Sequence, residues 1–185
     1  MPNTTTKEFE EFVKRQKSSA VAEPPVDWDK ERRDWIAHLN SLYKKVESFL
    51  KKYKDEGSIG IEYKEAELFE EHLGTYAVRK MLIHIGRQGI NLTPVGTLLI
   101  GSKGRVDVDG PYGKAALVLV DKDAVSPRPR VRVRIIDPKE KVQPEIENEK
   151  KIEWVWKIAT PPPALQYIDL NTESFLQLIM EISNA

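Results

Sequence analysis

A row of arginines separated by apolar residues is the set of side chains in this sequence best suited to bind an anion. The row consists of Arg128, Arg130, Arg132 and Arg134, and Pro129, Val131 and Val133 lie between them. Successive side chains of a β-strand point to opposite faces, so the segment predicts a strand with one basic and one apolar face. Guanidinium groups two residues apart on such a face repel one another unless anions neutralise them. The sequence therefore predicts acidic neighbours, within this chain or on a partner.

Two interpretations of the arginine row stay open. In the first it is a salt-bridge ladder, and the acids are Glu153 on the next predicted strand or Asp121 and Asp123 on the preceding one. In the second it is a surface for nucleic acid or for an acidic protein, because arginine matches the geometry of phosphate and carboxylate groups. Lys103 and Arg105 would extend that surface.

A glutamate and a lysine one residue apart follow apolar strand residues in the segment Ile61-Glu62-Tyr63-Lys64. The pattern resembles the metal-binding strand of the PD-(D/E)xK nucleases, in which acids hold Mg²⁺ and a lysine orients water. No Pro-Asp pair precedes the strand here. A metal-dependent nuclease that uses Glu62 and Lys64 is accordingly kept as an alternative function.

Other residues that commonly carry chemistry do not stand at the required spacings. The chain has no cysteine, and its three histidines form no His-x-x-x-His pair. The acids Glu65, Glu67, Glu70 and Glu71 beside His72 predict a solvated acidic face rather than a metal site. We therefore expect no cofactor and no resident metal, and the sequence favours a non-enzymatic protein over an enzyme without deciding between them.

Charge and hydropathy bound the class of protein. Lys+Arg and Asp+Glu number 29 each, so any electrostatic function depends on a local patch rather than on net charge. The N-terminus has no apolar signal-peptide core, and no apolar run is long enough to span a bilayer. These features predict a cytoplasmic protein without a membrane association.

The order of the predicted helices and strands indicates an α+β fold. We expect residues 1–25 to be a flexible arm and linker, and residues 26–185 to be a single domain with a helix over 27–55, a sheet over 58–170 and a helix over 172–183. Short turns between successive strands indicate an antiparallel meander of six to seven strands, forming a curved sheet or a partial barrel. Within it, Lys64–Leu73 predicts a short acidic helix or loop.

The N-terminal arm offers the clearest feature for recognition by another protein. Phe9, Phe12 and Val13 stand at helical spacing among charged residues, which predicts a short amphipathic helix that folds against a partner. Together with the arginine row, the arm indicates a non-enzymatic protein-interaction module, a small subunit of a larger intracellular assembly of bacterial type. Nucleic-acid binding through the arginine strand is the first alternative, and the nuclease is the second.

Overall fold

The computed structural model describes residues 7, 9–14, 26–97, 102–127, 152–161, 163 and 165–184. The longest element is helix α1, Trp28–Asp55. The side chain of Asp27 caps its start by accepting a hydrogen bond from the Lys30 N–H at 2.9 Å, and Gly57 turns the chain after its end with a φ of 75°. Its apolar residues recur at helical spacing and form a buried stripe, which consists of Trp35, Leu39, Leu42, Tyr43, Val46 and Leu50. Helix α1 thus forms where the sequence predicts it and supplies one face of the core.

Among the described residues, seven antiparallel strands follow in a meander, and neighbours in sequence are neighbours in the sheet. The strands are β1 (Ile59–Glu70), β2 (Gly74–Ile85), β3 (Gln88–Gly96), β4 (Gly104–Asp109), β5 (Lys114–Asp121), β6 (Trp154–Ala159) and β7 (Tyr167–Asp169). In the described part of the chain β1 and β7 are the end strands, so the sheet does not close into a barrel. With the C-terminal helix α2 (Thr172–Ser183), this confirms the predicted α+β class and the antiparallel meander.

The prediction of a helix or loop over Lys64–Leu73 is wrong. Strand β1 continues to Glu70 and pairs with β2 without interruption from Ile59↔Ile85 to Glu70↔Gly74. The segment has too few apolar residues to be read as a strand by itself, but its partner strand is rich in them. Backbone pairing to β2 and burial of alternate side chains therefore fix its conformation, which propensity alone does not.

The buried face of the β1–β2 hairpin changes along its length. Near the sheet centre the buried residues of β2 are the odd-numbered Met81 and Ile83, whereas beyond Lys80 they are the even-numbered Val78 and Tyr76. Strand β3 pairs with β2 only from Met81 to Ile85. The part of the hairpin between Lys80 and the turn at Gly74 is therefore a two-stranded ribbon. The face that it buries is opposite to the face buried near the sheet centre.

The core lies between α1, α2 and the inner face of the sheet. Trp35 packs in its centre, with its ring 6.0 Å from that of Trp156, while Phe49 of α1 and Phe175 of α2 lie 5.7 Å apart. Gly104 gives Trp35 its space, because a Cβ there would lie 2.2 Å from the Trp35 ring. The glycine at the start of β4 is thus required by packing.

Helix α2 closes the other end of the core. Asn171 and Ser174 form a capping box at its start, and Leu170 and Phe175 are both buried. Its C-terminal carbonyl groups accept hydrogen bonds from the Tyr112 N–H and the Gln88 side chain. These two contacts join α2 to the β4–β5 turn and to the start of β3.

Candidate functional site

The arginine row lies outside the described residues, so Arg128, Arg130, Arg132 and Arg134 keep the status of a prediction. The acids expected to neutralise them are described. Glu153 pairs with Lys122 at 3.1 Å, and the Asp121 carboxylate accepts a hydrogen bond from the Asp123 N–H. Salt-bridge ladder and binding surface both remain predictions for this row.

Lys103 and Arg105, the predicted extension of the arginine surface, are engaged within the chain. Lys103 Nζ lies 3.5 Å from Glu31 Oε2 and 5.6 Å from the centre of the Trp154 ring. Arg105 Nε donates a hydrogen bond to Asp107 Oδ1 at 2.6 Å. The two cations bind acids on different elements, α1 and β4, which lowers the charge that each presents to an external anion.

Lys103 also acts on the nearby His38 of α1. Partial burial, followed by the positive charge of Lys103, lowers the pKa of His38, and Asp34 opposes this effect. The His38 carbonyl accepts a hydrogen bond from Trp156 Nε1 at 3.1 Å. The arrangement favours a neutral imidazole and joins α1 to β6, which is a structural role.

Glu62 and Lys64, the residues of the nuclease-like pattern, are exposed on β1. Glu62 Oε2 lies 3.6 Å from Nε2 of His84 on β2, and Lys64 stands opposite Lys80 in the strand pairing. Among the described residues, no group of three or more His, Asp or Glu side chains is arranged to hold a metal ion. The described surroundings of Glu62 therefore supply no second and third acid for Mg²⁺.

The candidate residues for partner binding lie on a short helical segment. Residues 9–14 are helical, and the rings of Phe9 and Phe12 are 6.2 Å apart. Phe9 is 63% exposed, Phe12 52% and Val13 36%. We call these three side chains the arm face. They form the apolar side of an amphipathic segment, and the part of the chain that the structure describes does not cover them.

A groove of about 830 Å³ is lined by residues of β4, β5, β6, β7 and α2. Its apolar lining includes Ala116, Val118, Ala159, Leu165, Tyr167 and Leu178. Its charged lining is Arg105, Asp107, Asp109, Lys114 and Glu181. A volume in this range and a largely apolar lining are typical of binding clefts.

The charged side chains of the groove are partnered with one another or with neighbours. Besides the Arg105–Asp107 pair, Lys114 Nζ lies 2.8 Å from Asp109 Oδ1, and that carboxylate raises the pKa of Lys114. Glu181 accepts a hydrogen bond from the Gln177 side chain at 2.9 Å. The lining nevertheless holds three acidic and two basic side chains, so its formal charges do not cancel.

A buried glutamate is the main feature that sequence reasoning missed. Glu70 is 8% exposed, not part of a solvated acidic face, because it lies on the inward side of the hairpin ribbon. Its carboxylate accepts hydrogen bonds from the Tyr76 hydroxyl and from the Thr97 N–H and Oγ1, the latter two at 2.8 Å. Gly96 is packed against it with a φ of 137°. The alternation of Ala66, Leu68 and Glu70 on one strand face was the available signal.

This glutamate connects the tip of the β1–β2 hairpin to the end of β3. Burial, then the hydrogen bond to Glu70, raises the pKa of the Tyr76 hydroxyl. The Glu70 carboxylate is occupied by hydrogen bonds from the protein itself, and the Tyr76 hydroxyl stays protonated. The arrangement anchors the hairpin rather than offering a general base.

A second set of polar contacts joins the same hairpin to α1. The Tyr43 hydroxyl donates to the Arg79 carbonyl, the Arg79 guanidinium lies 4.9 Å from the centre of the Tyr63 ring, and the Tyr63 hydroxyl donates to Glu47 at 3.0 Å. Burial, followed by the hydrogen bond to Glu47, raises the pKa of Tyr63 to about 12. Burial also raises the pKa of Tyr43. Both phenols are therefore structural hydrogen-bond donors.

No protein-family model, curated protein or solved structure matches this chain. Of the described helices, none combines the length and apolar content needed to cross a membrane. The arm face and the groove are two apolar surface features among the described residues.

Proposed function

We propose that the chain is a non-enzymatic protein-interaction module, a small subunit of a larger intracellular assembly, and that the arm face is its partner-binding element. The observation that carries the proposal is the exposure of Phe9 and Phe12 on one side of a helical segment. Two neighbouring phenylalanines on a short segment are an unfavourable surface to leave in water, and amphipathic helices of this kind bind apolar grooves of other proteins.

The arm is expected to supply part of the binding free energy for a partner protein. Burial of a phenylalanine side chain stabilises an apolar contact by about 1.5–3 kcal/mol, so the pair contributes about 3–6 kcal/mol before the cost of ordering the segment. The cost is reduced here because the segment is already helical over residues 9–14. We therefore expect the arm to contribute binding free energy and not only to act as a tether.

The test uses the full chain with Phe9→Ser and Phe12→Ser together. Proteins that co-purify with the native chain from its own cell are identified, and each is then purified and titrated against both forms by calorimetry. The matched control is Phe69→Ser, because Phe69 is another exposed phenylalanine, at 74%, on strand β1. We expect binding to be lost in the arm variant and kept in the control.

Equal affinity of the arm variant and the native chain for every co-purifying protein would refute the role of the arm. Unchanged thermal unfolding of the arm variant is the check that the fold is intact. It is expected because the replaced side chains lie outside the core.

A further inference from the structure

The outward side of helix α1 is a continuous basic surface. Its exposed residues between Arg33 and Lys52 recur three or four apart, and residues at that spacing are neighbours on a helix. We call this surface the basic face, and it consists of Arg33, Ala37, Ser41, Lys44, Lys45, Ser48, Lys51 and Lys52. At about 1.5 Å per residue it extends over roughly 29 Å. We propose that the basic face binds the phosphate backbone of a double-stranded nucleic acid.

Most cations of the basic face have no acid beside them. Lys51 is the exception, because its Nζ lies 2.5 Å from Asp55 Oδ2. The cations that form no ion pair with any residue that the structure describes are Arg33, Lys44, Lys45 and Lys52. The whole chain has equal numbers of basic and acidic residues, so this face is a local concentration of positive charge. Such a patch attracts an anionic partner although the net charge is zero.

The acids of the same stretch of α1 are engaged elsewhere. The stretch contains two of them, Asp34 and Glu47, and both are half-buried. Asp34 Oδ2 lies 4.0 Å from Lys103 Nζ. Glu47 Oε1 accepts a hydrogen bond from the Tyr63 hydroxyl at 3.0 Å and lies 3.7 Å from Lys54 Nζ. Both carboxylates are therefore partnered by groups outside the basic face.

The composition of the basic face favours phosphate over a protein or a lipid surface. Lysine is depleted at protein–protein interfaces, which are built around aromatic and other large side chains. A helix that lies in a membrane surface inserts an apolar side, but the apolar side of α1 is buried in the core. Phosphate needs only cations and a close approach, and the small side chains of Ala37, Ser41 and Ser48 leave room for that approach.

The form of the nucleic acid follows from what the basic face lacks. Proteins that bind single strands stack the bases on exposed aromatic rings, and no residue of the basic face is aromatic. A duplex instead offers phosphates at fixed positions, about one charge per 1.7 Å of its axis. Lysine contacts to phosphate carry no information about sequence. We therefore expect binding to duplexes with little dependence on base sequence.

This inference does not rest on the proposed function, because the basic face shares no residue with the arm face. The Phe9→Ser, Phe12→Ser variant should bind duplexes as the native chain does. The two proposals are thus tested by different substitutions, and the failure of one leaves the other standing.

The experiment measures binding of the full chain to short labelled duplexes of DNA and of RNA by fluorescence anisotropy at several salt concentrations. Four to five phosphate contacts predict a slope of about −4 in a plot of log K against log salt concentration. Affinity should accordingly fall by about 150- to 500-fold between about 50 and 200 mM salt. The two duplexes show whether DNA or RNA is preferred.

The basic-face variant combines Lys44→Gln, Lys45→Gln and Lys52→Gln. Glutamine has a helix propensity close to that of lysine, and the three side chains are exposed, so circular dichroism and thermal unfolding should be unchanged. Loss of three phosphate contacts should reduce the salt slope by about 3 and weaken binding at about 100 mM salt by at least about 10-fold.

The matched control removes the same charge from other parts of the chain by combining Lys80→Gln, Arg87→Gln and Lys122→Gln. These residues lie on β2, in the β2–β3 turn and after β5. The control should keep the affinity and the salt slope of the native chain. Equal weakening in the two variants would mean that net charge alone matters, and it would overturn the inference.

Polyglutamate and vesicles that contain phosphatidylserine test the other anionic partners. We expect both to bind more weakly than the duplexes at the same salt concentration. The inference is overturned if either binds more tightly and loses that affinity in the basic-face variant. A native chain that binds neither duplex at the lowest salt concentration, or a basic-face variant that keeps the native affinity and slope, also overturns it.

Discussion

Replacing Glu70 by alanine tests whether a buried carboxylate anchors the β1–β2 hairpin to the rest of the sheet. The side chain is 8% exposed and accepts hydrogen bonds from the Tyr76 hydroxyl and from the N–H and Oγ1 of Thr97. Removing it leaves two or three buried or half-buried donors without an acceptor. The hairpin tip and the end of β3 then have no polar contact through residue 70.

The expected loss of unfolding free energy can be estimated from the hydrogen-bond donors that lose their acceptor. An unsatisfied buried donor costs about 1–3 kcal/mol, and hydrogen bonds to a charged acceptor lie at the upper end of the usual range. Thr97 is half-buried and its hydroxyl can turn toward water, so we expect a loss of about 2–5 kcal/mol of unfolding free energy for Glu70→Ala. For a chain of this length, that corresponds to a fall in Tm of about 5–20 °C.

The assay is urea unfolding of the purified protein, followed by circular dichroism and tryptophan fluorescence. Glu67→Ala is the matched control, because Glu67 is the same residue type on the outward side of the same strand and is exposed. It should change the unfolding free energy by less than about 0.5 kcal/mol. A loss below about 1 kcal/mol for Glu70→Ala would show that the carboxylate is not an anchor.

A double-mutant cycle with Gly96 separates the local contact from a general loss of stability. A Cβ at Gly96 would lie 2.8 Å from Glu70 Oε2, at a φ of 137°. Gly96→Ala should therefore be strongly destabilising in the native chain and less so when Glu70 is alanine, because one of its two causes is gone. Additive effects would contradict the contact.

Three further predictions follow from the core and from the titrating groups. Gly104→Ala should lower the unfolding free energy by more than about 3 kcal/mol in urea unfolding, because the new Cβ would overlap Trp35, and Trp35→Leu should relieve part of that loss. Stability should fall as pH rises above about 10, because the unfolded chain releases phenol protons that Tyr43, Tyr63 and Tyr76 retain when folded; spectrophotometric titration with and without Tyr63→Phe measures this, and a single unshifted transition would contradict it. The lowered pKa of His38 contributes stability that is present above pH about 6.5 and is lost as pH falls, so His38→Gln should flatten the acid side of the stability profile.

Local rules were enough to predict most of the fold. The cap at Asp27, the stop at Gly57 and the capping residue Asn171 define both long helices, and all three depend on contacts within a few residues. The glycines at the turns likewise mark short connections between successive strands. Such short connections can join only antiparallel neighbours, which gives a meander. The bulge in β3 near Pro94 also follows from proline chemistry.

The errors arose where a residue's environment depends on a distant part of the chain. Lys64–Leu73 looks acidic and loop-like in sequence, but β2 holds its first seven residues in a strand and Thr97 gives Glu70 its hydrogen bonds. The ion pair between Lys103 and α1 could not be predicted from the spacing of residues either, because Glu31 lies far away along the chain. A charge pattern therefore indicates a binding surface only after its internal partners are known.

The structure separates the features that stabilise the fold from those that remain for recognition. The polar groups that anchor the hairpin are Glu70 and Tyr76 of the hairpin itself and Tyr43 of α1. Each has a partner within the chain, and removing one should lower the stability of the fold. The arm face and the groove have apolar surface without a described partner, and replacement of Phe9 or Leu165 removes little from the core. Binding and stability should consequently respond to different substitutions. If an arm variant lost both together, the arm would belong to the fold, and the case for it as a partner-binding element would fail.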